Sequence, residues 1–62
     1  MSPVIKEIVL YQKNTDKRKF VSTKHIISHT DFIFCYREIL ELYHGFSAEI
    51  EKDKVTLTLP LQ

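Results

Sequence analysis

The chain has 62 residues, one cysteine and a formal net charge of +1. That length allows a single domain, residues 1–62. A lone cysteine excludes an intramolecular disulfide framework, and so small a balance of charge argues against a dedicated polyanion binder. A domain this short gains little more from burial than it loses in conformational entropy, so an oligomer or a protein partner is the expected source of extra stability.

Residues 4–12, VIKEIVLYQ, are rich in β-branched and aromatic types and contain neither Gly nor Pro, which predicts a strand. Pro3 suits the start of a first strand. One face would carry Val4, Ile8 and Leu10, interrupted by Lys6. The other would carry Ile5, Val9 and Tyr11, interrupted by Glu7. Both faces are mostly apolar, so a helix is expected on one and a second cover on the other. Charges within this apolar run fit neither a signal peptide nor a membrane span, and a reducing cytoplasm is the expected compartment.

Residues 13–18, KNTDKR, form a polar loop, and residues 19–27, KFVSTKHII, a second strand. Together they make a hairpin with a basic tip. Residues 1–30 hold six Lys/Arg and two Asp/Glu, while residues 31–62 hold three and six. Such asymmetry suits a nucleic-acid face or head-to-tail association, and equally a basic hairpin beside an acidic helix.

Ser28 and Asp31 have the spacing of a capping pair, and a helix is expected from there to about His44, with Gly45 at its C-terminal cap. On a helical wheel its apolar arc spans about 180°, with Phe32, Cys35, Tyr36, Ile39 and Tyr43 along the middle. Ile33, Leu40 and Leu42 form the rim. Phe34 falls among Arg37, Glu38 and Glu41, facing away from the core. Residues 48–52 and 54–59 alternate with period two around Asp53, predicting two short strands closed by Pro60. The order is β-β-α-β-β, an α+β fold with a single helix packed on a small antiparallel sheet.

The residues that could carry chemistry are few. His25, His29, Cys35 and His44 are zinc-ligand types, but Cys35 and His44 fall on opposite sides of one helix. Ser28, His29 and Asp31 include the types of a hydrolase triad, yet neighbours at a helix start cannot converge as triad members do. Gly45 is the only glycine, so no phosphate-cradling loop exists. No catalytic residue, cofactor or metal site is expected, nor any small-molecule substrate or membrane association. The pattern points to a small, non-enzymatic, cytoplasmic interaction or regulatory module, acting as a homodimer, inhibitor, adaptor or assembly subunit. Its expected contacts are Ile5, Val9, Tyr11 and Phe34. The alternative is a nucleic-acid-binding protein using Lys13, Lys17, Arg18, Lys19 and Lys24 of the basic hairpin.

Overall fold

The computed structural model describes residues 4–61 and contains strands β1 (Glu7–Lys13) and β2 (Arg18–His25), helix α1 (His29–Leu42), and strands β3 (Ser47–Glu51) and β4 (Lys54–Leu59). The α+β class and the element order are as the sequence predicts. The sheet, however, is mixed rather than antiparallel. Its order is β2-β1-β4-β3, with antiparallel hairpins outside and a parallel β1·β4 pair at the centre. The reason lies in the connections. Each of the five elements reverses the direction of the one before, so the first and the fifth run the same way.

The central pair sets the core. Ile8 lies beside Val55, Leu10 beside Leu57 and Gln12 beside Leu59. Side chains alternate across a strand, so these pairs share the face under the helix. Ile8, Leu10, Val55, Leu57 and Leu59 close with Ile26 and Ile39 into one buried cluster. The opposite face carries Val9 beside Thr56 and Tyr11 beside Thr58, and no element among the described residues covers it.

Ile5 departs from the expected alternation. It packs against the core cluster on the helix side, while Val4 is exposed. The β1 ladder begins only at Glu7, so residues 4 and 5 lie outside the pleat whose parity the sequence pattern assumed. There the Lys6 N–H donates to the Asp53 carbonyl (2.7 Å) and the Ile26 N–H to the Lys6 carbonyl (2.8 Å), drawing both hairpins together.

The helix start is a local cap. The Ser28 hydroxyl accepts from the Asp31 N–H (3.1 Å), and the Asp31 carboxylate accepts from the Ile27 N–H (3.1 Å). One orphan donor of the first turn is thereby met, and the N–H just before the cap is tied to the same turn. At the other end the helix stops at Leu42. Tyr43 is the extended C-cap, its N–H donating to Ile39, and Gly45 takes up the left-handed turn at φ 73° one residue later than a standard left-handed cap.

Candidate functional site

Only Ile39 of the helix is fully buried. Phe32, Cys35 and Tyr36 reach the core in part. The broad apolar arc therefore has more width than the sheet covers. Ile33 (41% exposed), Leu40 (46%), Phe34 (66%) and Leu42 (70%) stay in solvent.

Two sets of contacts orient the helix. On the β2 side, the Lys24 ammonium donates to the Glu38 carboxylate at 3.0 Å, and Asp31 holds Ile27. On the β3 side, a ladder of rings runs along the flank. His29 stacks on Phe32, Phe32 stacks on Tyr36 with centroids 5.8 Å apart, and Tyr36 meets Phe46 edge-on just before β3. The helical period places Ile33 and Leu40 on this second flank and Leu42 on the first.

The helix leaves β3 bare. All five of its residues are exposed, and Ala48 and Ile50, which pair with Leu57 and Val55 on the helix side of the sheet, are among them. Ile50, Ile33 and Leu40 thus form an apolar flank beside a free strand edge, and Phe34 crowns the outer helix surface.

Of the four contacts expected from the sequence, only Phe34 is freely exposed. Val9 lies on the face away from the helix but is only 4% exposed. Ile5 is spent on the core. Tyr11 is half-buried, with the Arg18 guanidinium 4.6 Å above its ring and Phe20 edge-on at 6.2 Å. The sequence pattern missed Ile50 and Ala48, because a period-two strand with Glu49 and Glu51 between them resembles an ordinary half-buried strand. The signal that could have found them is the charge of β2 and β3, which marks both as edge strands.

The basic residues divide between the two faces. Lys13 and Arg18 pair at the end of the hairpin on the open face, with Lys17 in the adjoining turn. These residues line an open cleft of about 440 Å³ whose far wall is Ser47, Glu49 and Thr58. Lys19 pairs with Gln12 and falls on the helix side, and Lys24 is occupied by Glu38.

Cys35 is partly buried, and its thiol lies 3.8 Å from the Asp31 carboxylate. Burial first, and the neighbouring Asp31 charge second, push the thiol above its ordinary range, the reverse of what a nucleophile needs. No three or more His, Cys, Asp or Glu among the described residues are grouped to hold a metal ion. No helix among them is long and apolar enough to cross a membrane. Comparison of the chain with protein-family models, with curated proteins and with solved structures finds no match.

Proposed function

We propose that the chain is a small, non-enzymatic, cytoplasmic interaction module that uses the apolar surface of α1 and the neighbouring β3 edge to associate with another protein chain. The observation that carries this reading is the placement of Ile33, Leu40 and Ile50, all exposed, along one flank of the helix and the β3 edge beside it. Scattered apolar residues are ordinary on any surface, but adjacent ones on a thin domain mark a contact region. A dilution series in sedimentation equilibrium, run alongside an Ile33→Ser/Phe34→Ser/Leu40→Ser variant, tests it. Concentration-dependent association, or capture of a defined partner, that the triple variant loses is the expected result. A monomer at all concentrations, with no partner that distinguishes the two proteins, removes the reading.

A second reading rests on the Arg18–Tyr11–Phe20 cluster. Stacked aromatic and guanidinium groups on an open sheet face are the means by which single-stranded nucleic acid is held. It predicts binding of a labelled oligonucleotide that weakens steeply with salt and is lost in Arg18→Ala/Phe20→Ala. Absence of binding at low ionic strength ends it.

A further inference from the structure

The two edges of the sheet are unequal. β2 carries two of the devices that blunt an edge against pairing: a register shift opposite Leu10 and Tyr11, and the flanking cations Arg18, Lys19 and Lys24. β3 carries neither. Its ladder with β4 is unbroken from Ser47 to Glu51, and it contains no Lys, Arg or Pro. The hairpin turn is two residues long, Lys52 and Asp53, so the flanking Glu51·Lys54 pair exchanges hydrogen bonds and the pattern alternates from there. The backbone N–H and C=O groups of Ile50 and Ala48 consequently point away from β4, and among the described residues no strand lies beyond them.

We propose that this edge pairs antiparallel with β3 of a second copy, about a two-fold axis at Ala48, joining two four-stranded sheets into one. The proposal rests on the interaction-module reading and names its partner. Alternation puts the axis at a residue rather than between two, and only Ala48, Glu49 or Ile50 pairs three or more residues of the strand with the other copy. An axis at Glu49 sets two Glu49 carboxylates directly opposite each other, in the closer kind of pair. An axis at Ile50 sets Glu49 opposite Glu51 twice over. An axis at Ala48 instead sets Ser47 opposite Glu49, and Phe46 opposite Ile50, and no like charges meet. The same register brings the exposed Ile50 and the Ile33 and Leu40 flank of each copy to the helix side of the joint.

The test combines oligomeric state with register. Sedimentation equilibrium should show a dimer that Ile50→Lys weakens at least ~10-fold, the size of effect expected from truncating a buried interface anchor. Ile50 is exposed in the single chain, so this variant keeps its fold by circular dichroism. Ser47→Lys should tighten the dimer several-fold, because each added ammonium faces Glu49 of the other copy. In a Cys35→Ser background, Ala48→Cys should form an intermolecular disulfide under mild oxidation far faster than Glu49→Cys does. A monomer at all concentrations overturns the proposal, as does a dimer indifferent to Ile50→Lys or one that cross-links preferentially through Glu49→Cys. A dimer broken by Phe34→Asp and not by Ile50→Lys also overturns it, while leaving the interaction-module reading in place.

Discussion

The Lys24 ammonium lies 3.0 Å from the Glu38 carboxylate and joins the outer strand β2 to the exposed side of the helix. Both partners are well solvated, so screening limits the bond to a small part of the stability. Its larger effect is on direction. With Asp31 holding the Ile27 N–H, it fixes which flank of the helix leans toward β2, and so which flank is left open over β3. Lys24→Ala should lower stability only slightly in urea titrations, with a loss that shrinks at high salt.

Leu57 is wholly inaccessible, at the crossing of the parallel pair with the helix. Leu57→Ala should cost about 2–5 kcal/mol, a large share of what a domain of this size possesses. Leu42→Ala, at an exposed position, should stay within about 0.5 kcal/mol of wild type. Chemical denaturation of the two variants side by side checks the contrast.

Two of the described residues lie in left-handed backbone, Gly45 at φ 73° and Lys52 at φ 53°. A Cβ on Gly45 would meet Pro60 Cγ at 3.6 Å, an ordinary contact, so the penalty of Gly45→Ala is conformational, about 1–2 kcal/mol. Lys52→Gly runs the other way and should be neutral or stabilising by up to about 1 kcal/mol, since the turn then suits its residue. Thermal unfolding of both variants distinguishes the two signs.

The Ser28 cap gives a cleaner mutational signal than any single surface contact. Ser28→Ala should destabilise by about 0.5–2 kcal/mol, and Ser28→Asp should restore most of the loss. Urea midpoints for the pair would show it.

Alkaline pH should weaken the fold. The Cys35 thiol is raised by burial and by Asp31, and Lys24 is raised by its hydrogen bond to Glu38 and by that residue's charge. Both groups hold their protons more firmly when folded. Their contribution is therefore complete below the unfolded values near 9.0 and 10.5 and is lost as pH rises through the folded ones. Melting temperature should be flat from about pH 7 to 8 and decline above about 9, and Cys35→Ser should flatten the first part of that decline. Alkylation of Cys35 in the folded protein should be slower than in urea at the same pH.

The elements that could be read from the sequence are those fixed by neighbours in the chain. Ser28 and Asp31 are three residues apart and cap the helix as their spacing predicts, and Phe34 emerges on the side the helical period assigns it. What depended on distant pairing was not legible in the same way. The parallel β1·β4 contact arises from parity and from which strands can bear burial. In hindsight, composition ranks them. VIKEIVLYQ and KVTLTL can stand at the centre of a sheet, whereas RKFVSTKH and SAEIE cannot. Lys13 to Lys24 are close in sequence and suggest one patch, yet the pleat sends Lys19 to the face opposite Lys13 and Arg18, and the register shift that skips Val21 brings Lys24 to that face as well.

The parallel central pair also governs when this chain can fold. Gln12, whose side-chain amide reaches the Pro60 carbonyl at 2.7 Å, is 48 positions away from it, and the strands beside them are the two that form the middle of the sheet. During synthesis the first hairpin and the helix emerge with their shared apolar surface complete on one side only. At about 5–20 residues per second they wait a few seconds for β4. Until that strand leaves the ribosome, Ile8, Leu10 and Ile39 have no Leu57 to close upon. The nascent segment is thus held in its most adhesive form until β4 has been made, and a chaperone would find its target there rather than in the finished domain.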